Sequence, residues 1–165
     1  VIQPIASSAL AQVGRFLVAE SYLLDHDDWD AWLALFTADG VYWMPADPQQ
    51  ATPFDHVSLI YDDATMRELR CRRFRDRGES AALSLQPHPR SLRCLTNVDI
   101  IEHTAATVVV RANLVFVQYV RPSTQTFYAR VRWELQIDGE RCAIRRKRVD
   151  LLNCDGPLSD ILVYV

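Results

Sequence analysis

At 165 residues, 49% of them hydrophobic and 24% charged, the chain has the size and composition of one globular domain with a single well-filled core. A net charge of -3 argues against general attraction to nucleic acid or to an anionic membrane. No run approaches the roughly 20 apolar residues that span a bilayer, and the first residues lack a basic stretch followed by an apolar one, so a cytoplasmic protein is expected.

Val1 to Ser8 reads as an arm, because Pro4 blocks an early helix and Ser7 or Ser8 can cap one. A first helix is expected to run to about Asp25, with Leu10, Val13, Leu17 and Leu24 on one face. Asp27 and Asp28 end that periodicity and start another, in which Trp29, Trp32, Leu33 and Phe36 recur at i, i+3, i+4, i+7. Asp39-Gly40 then supplies a turn into a strand, Val41 to Met44, that leaves through Pro45. Residues 9–38 therefore form a helical lid that needs an apolar surface beneath it. Ala46 to Asp55 has loop chemistry, Val57 to Tyr61 the content of a short strand, and Asp62 or Asp63 can cap a third helix through Phe74. Gly78 to Arg90 carries too many breakers for one regular element.

From Ser91 to Leu152 the period changes to two. Leu92, Cys94, Val98 and Ile100 are expected on one face of a strand, followed by Val108, Val110, Ala112, Leu114 and Phe116 on the next. Phe127, Ala129, Val131, Trp133, Leu135 and Ile137 alternate with polar residues in a third. Arg121-Pro122-Ser123 separates the second and third strands, and Asp138-Gly139 is a hairpin signal leading into Cys142 to Leu152. Arg145 to Arg148 breaks the alternation, which predicts a bulge or bend. Helices first and a long-stranded antiparallel meander second is the α+β order. Long strands curl, so the sheet has a concave face, and the lid closes it into a cone with Trp29, Trp32, Phe36 and Trp43 at the closed end. Ile161 to Val165, apolar throughout, is expected to pair as a strand or to dock on a neighbouring subunit. Residues 1–165 read as a single domain, with 153–165 as this strand or tail.

Several ordered segments carry a family resemblance: FLVAESYLLD, WDAWLALF, DGVYWMP, VSLIYDD, TNVDII, KRVDLLNCD and the final ILVYV. Between Phe16 and Val165 the chain resembles the small (beta) subunits of aromatic-ring-hydroxylating dioxygenases, nearest the benzoate, toluate and anthranilate branch. The resemblance implies the cone fold shared with nuclear transport factor 2 and ketosteroid isomerase. It also implies a non-catalytic structural role beside a large alpha subunit that bears a Rieske 2Fe-2S cluster and a mononuclear iron. Three copies of each subunit would assemble, the small ones as a trimeric base. One departure is local: before the TNV strand this chain has QPHPRSLRC, with Arg93 where the family carries a histidine.

The metal chemistry itself is not expected here. No cysteine has a histidine two residues on, as a Rieske site requires, and His26, His56, His88 and His103 are isolated. Cys71, Cys94, Cys142 and Cys154 are spread without a CxxC pair and are expected as free, buried thiols.

Candidate partner contacts are Trp43, Met44 and Pro45, since alternation puts Trp43 and Met44 on opposite faces so that one of those two should leave the core, and the basic residues Arg67, Arg70, Arg73, Arg145 and Arg148. A solvated helix face is the competing reading of the arginines between Arg67 and Arg77. Nucleic acid is disfavoured, because Phe74 is their only stacking aromatic. A different class, a stand-alone cone-fold isomerase or dehydratase, would use Glu20, Tyr22, Asp25, Tyr42 and His88 in an open polar cavity. Glu20, in an otherwise apolar helix, would instead pair with Arg130 or Arg132 if its role is structural. A third class, a small-molecule binding module, would need a roomy apolar pocket.

Overall fold

The computed structural model describes residues 7–75 and 88–165. Residues 1–6 of the arm, Arg77 and all but the last three residues of the breaker-rich stretch lie outside them, whereas Ser7 and Ser8, expected in the arm, already belong to the first helix. The elements are α1 (Ser7–Asp25), α2 (Trp29–Leu33), β1 (Phe36–Pro45), β2 (Ser58–Asp62), α3 (Ala64–Arg75), β3 (Arg90–His103), β4 (Thr107–Val120), β5 (Ser123–Asp138) and β6 (Arg141–Leu151). They form the expected α+β cone, in which one six-stranded sheet of order β2-β1-β6-β5-β4-β3 lies under the helices.

β3 to β6 make the antiparallel meander. β1 joins β6 in parallel, so the sheet is mixed at that one seam rather than wholly antiparallel. The alternation in β4 and β5 is largely realised: Val108, Val110, Ala112, Leu114 and Phe116 are buried, as are Phe127, Ala129, Val131, Trp133 and Leu135, while Ile137 is half-buried and Val109 is buried out of phase. Gly139, with φ of 58°, makes the tight turn from β5 into β6.

Two strands depart from simple alternation. In β3, Asn97 adopts a left-handed backbone with φ of 54° and the pairing to β4 slips between Thr96 and Asp99. The slip resets the faces. Arg93 turns inward before it and Ile100 after it, so Leu92, Cys94 and Val98 are exposed instead of sharing a buried face with Ile100. In β6 the expected bulge falls at Arg145, because Glu134 faces Arg146 while Leu135 faces Ile144. Beyond it Lys147, Val149 and Leu151 point into the core.

The entry to β1 also differs. α2 stops at Leu33, with Asp28 Oδ1 accepting from the Ala31 N–H at 3.2 Å, and Phe36 already belongs to β1. Five helical residues suffice to bury Trp29 and Trp32, and Phe36 still reaches Trp32, edge to face at 5.0 Å, from the strand. Asp39-Gly40 therefore lies within the strand. Gly40 serves a close approach: a Cβ there would stand 2.6 Å from the Ile144 carbonyl oxygen.

α1 lays Val13, Leu17, Glu20 and Leu24 on the sheet, while Leu10, expected on the same face, is exposed. Asp63 Oδ1 caps α3 by accepting from the Met66 N–H at 2.9 Å. The last residues neither pair as a strand nor turn outward. Val163, Tyr164 and Val165 fold back into the interior of their own chain, held by side-chain groups in place of a strand ladder. The Leu162 N–H donates to Gln118 Oε1 at 2.9 Å, Arg93 donates to the Tyr164 carbonyl, and the Tyr42 hydroxyl donates to the Val165 oxygen at 3.1 Å.

Candidate functional site

Charged residues inside the cone form the first place to look for chemistry. Glu20 projects from α1 one turn after Leu17 and is 1% exposed. It accepts from Lys147 Nζ at 2.9 Å, from the Trp133 indole at 2.8 Å and from the Trp32 indole at 3.3 Å. Burial pushes the Lys147 ammonium below its ordinary pKa, and the Glu20 carboxylate opposes that shift. The expected partners Arg130 and Arg132 do not reach Glu20; Arg132 points outward to Glu102 at 3.1 Å. The bulge at Arg145 explains the exchange, since it turns Lys147 from the wet face to the dry one.

A second group joins α1 to β3. Arg93, its side chain 2% exposed, meets Asp25 at 2.6 Å, donates to Ser91 Oγ at 3.0 Å and lies over the Phe116 ring. Burial lowers the Arg93 pKa and Asp25 works against it. A third group centres on Asp62, which receives Arg70 at 2.6 and 3.0 Å and the Tyr164 hydroxyl at 2.6 Å. Burial first, then Asp62, holds the Tyr164 phenol well above its ordinary pKa, and burial does the same for Tyr42. Arg67 is buried over the Phe36 ring and donates to the carbonyl oxygens of Gly40 and Asp62.

The five residues set out for acid–base work are thus scattered. Glu20 and Tyr42 are interior, and Asp25 sits beside Arg93. Tyr22 is exposed and stacks on His26 at 3.9 Å, and His88 meets Asp27 at 2.7 Å elsewhere. General acid–base chemistry needs a desolvated carboxylate with room for substrate beside it. Here the buried carboxylates are already bonded, and Trp32, Tyr42, Phe116, Trp133 and Tyr164 occupy the space around them. Surface hollows lie outside the cone, along α1 beside Gly14, Val18 and Tyr22 and on the outer sheet face between Asp99, Arg111 and Arg130.

The candidate contact residues also separate. Trp43 and Met44 do point to opposite faces of β1, yet both are buried. Met44 joins the core. Trp43 is covered by the Arg148 guanidinium, 4.3 Å from its ring, and donates to Ser58 Oγ at 2.9 Å. The loop between β1 and β2 closes over that side through buried Gln50, which donates to the His56 carbonyl and to Ser58 Oγ. Pro45 is buried with them. Arg70 and Arg148 are held by Asp62 and Asp150, whereas Arg73 and Arg145 are exposed.

What sequence reasoning missed is an apolar strip on and beside the edge strand β2: Phe54, Val57, Leu59, Tyr61 and Met66 are all exposed, and Phe54 touches Tyr61 edge to face. The signal was present, because Val57, Leu59 and Tyr61 alternate on one face while Ile60 supplies the core from the other.

Among the described residues no three His, Cys, Asp or Glu side chains are placed to hold a metal ion, and no helix is long and apolar enough to cross a membrane. The cysteines are free, but they are not uniformly buried: Cys71 and Cys154 are, Cys94 is exposed on β3 and Cys142 lies between. Burial pushes the Cys71 thiol up to about 12.

Comparison with known proteins gives a consistent picture. The sequence model of a family described as the ring hydroxylating beta subunit matches residues 19–155. The small subunit of 2-halobenzoate 1,2-dioxygenase from Burkholderia cepacia is 33% identical over 150 residues, which is 88% of this chain and 90% of that one. The beta subunit of benzoate 1,2-dioxygenase from Acinetobacter baylyi is 28% identical, covering 88% of this chain and 87% of its own. The crystal structure of the benzoate 1,2-dioxygenase beta subunit from Burkholderia mallei superposes with a TM-score of 0.75 at 30% identity, over 99% of this chain and all of that one.

Proposed function

The chain belongs to the ring-hydroxylating beta-subunit family, and from that premise we propose that it is the non-catalytic structural subunit of an aromatic-ring-hydroxylating dioxygenase of aromatic-compound breakdown in the cytoplasm. The observation that carries the reading is the filled interior. Glu20, Lys147, Arg93 and Asp62 bond to protein groups, and aromatic rings take the volume a substrate would need.

Its partner is an iron-bearing alpha subunit, and the assembly holds three copies of each. The donor set supports placing the Rieske cluster and the mononuclear iron on that partner: this sequence has no Cys-x-His pair, and its described residues do not fit either group. Contacts with alpha and with other copies of this chain use the exposed guanidinium groups of Arg73 and Arg145 and the apolar strip around β2. Trp43, Met44, Pro45, Arg67, Arg70 and Arg148 support those surfaces from beneath.

Partner contacts stabilise the folded form by mass action. Expressing the alpha subunit with and without this chain tests the assignment. Intact oligomer and turnover are expected only with it, and equal assembly and turnover without it would overturn the structural role.

A further inference from the structure

The surroundings of Tyr164 have the composition of a ligand site. Its ring centroid lies 4.6 Å from that of Trp32, 4.8 Å from Tyr42 and 5.7 Å from Phe74, while the hydroxyl donates to Asp62 at 2.6 Å. Arg70 holds that carboxylate and stands 5.7 Å from the ring. These walls come from α2, β1, β2 and α3, elements joined by their own pairing and packing. The occupant comes from a segment with no helix or strand, fastened by side-chain groups that accept from the Leu162 N–H and donate to the Val165 oxygen.

We propose that this is a phenol-binding pocket which the chain fills with its own Tyr164. The ligand class is a small neutral phenol, whose ring enters the Trp32–Tyr42–Phe74 cage and whose hydroxyl donates to Asp62. Asp62 is buried, charge-balanced by Arg70 and able only to accept, so an occupant must bring a donor. An ether of the same shape leaves the carboxylate short of one bond. An aromatic acid places a second negative charge against it. In the intact chain the tethered Tyr164 ring outcompetes free phenols because its effective concentration is high.

The test replaces Tyr164 by glycine in the full chain (Y164G) and adds p-cresol, which matches the side chain removed. Thermal unfolding of Y164G should begin well below wild type and rise by about 5 °C as p-cresol saturates the site. The wild type should not move, and neither 4-methylanisole nor 4-methylbenzoate should substitute. Should Y164G fail to fold alone, refolding from urea is read with and without p-cresol, and recovery with p-cresol only supports the site. Equal unfolding temperatures or equal recovery with and without p-cresol, or equal effects of the three compounds, would overturn it.

Discussion

Replacing Glu20 by glutamine (E20Q) isolates the charge in the group that ties α1 to the sheet. The carboxylate accepts from Lys147, Trp133 and Trp32, and both ionic side chains are at most 3% exposed. Glutamine keeps the volume and one acceptor, which the Trp133 indole at 2.8 Å can retain, but its amide turns donors toward the Lys147 ammonium. Breaking a buried pair from one side costs about 3–5 kcal/mol because a buried charge is left uncompensated. With a urea slope of about 2 kcal/mol/M, the midpoint of unfolding should fall by about 2 M at pH 7. Adding K147M removes the stranded charge, so the double variant should recover about half of the loss, about 2 kcal/mol, and be well short of the sum of the two single losses. Alkaline pH should act in the same direction. Lys147 already titrates below its ordinary 10.5 because of burial, and losing Glu20 lowers it further. Between that lowered value and 10.5 the folded chain binds fewer protons than the unfolded one, so the deficit of E20Q relative to wild type should shrink as pH rises. A midpoint shift below about 0.5 M, or a double variant as unstable as the sum of the singles, would refute the assignment of Glu20–Lys147 as the joint.

Other perturbations read other parts of the molecule. A Gly40→Ala change places a Cβ 2.6 Å from the Ile144 carbonyl oxygen and 2.9 Å from that of Thr37, so β1 must shift. Calorimetry should show Tm lowered by about 5 °C, in keeping with about 2 kcal/mol of overpacking. A charge-reversed R73E/R145E pair should leave the isolated chain within about 0.5 kcal/mol of wild type, because both residues are exposed, yet lower recovery of the complex with its alpha subunit in size-exclusion chromatography. Normal assembly would remove both from the contact surface. Stability should fall as pH rises from 9 to 12, since Cys71 is raised from 9.0 to about 12 and Tyr42 and Tyr164 are held above 10.0. In that range the unfolded chain releases protons that the folded chain keeps, at about 1.4 kcal/mol per pH unit per group. Chemical denaturation of Y42F and Y164F should each show a correspondingly flatter slope.

The legible parts of the fold were those governed by period alone. β4 and β5 alternate over most of their length, and their inward faces are legible residue by residue except at Val109 and Ile137. The illegible parts are places where one residue resets the period. Asn97 is of a type that tolerates a left-handed backbone, but the apolar alternation on either side of it masks the slip, and with it the inward turn of Arg93 and the exposure of Cys94. The bulge in β6 could be seen coming, but not its exact position, and that position decides whether Lys147 or its neighbours reach Glu20. Phe36 misled for the opposite reason, since its spacing suits the α2 helix and it touches Trp32 from a strand instead. The tail departs from expectation because an apolar run usually needs a strand partner or another chain. Here Gln118, Arg93 and Tyr42 supply its backbone partners from within.

Those interior polar groups share a position in the architecture. Glu20 links α1 to β5 and β6, Asp25 links the end of α1 to β3, and Asp62 links β2 to α3 and to the tail. Each therefore sits at a joint between elements that apolar contact alone would leave free to slide. A rotation of α1 by one residue, about 100°, would bring Ala19 or Ser21 opposite Lys147 and strand a buried ammonium at a cost of several kcal/mol. Leu17 and Leu24 tolerate small rotations, because dispersion has no direction; the three donors converging on Glu20 do not. The charges that first suggested a catalytic cavity thus fix the orientation of the lid, and a lid held at one angle presents one outer surface for a partner to recognise.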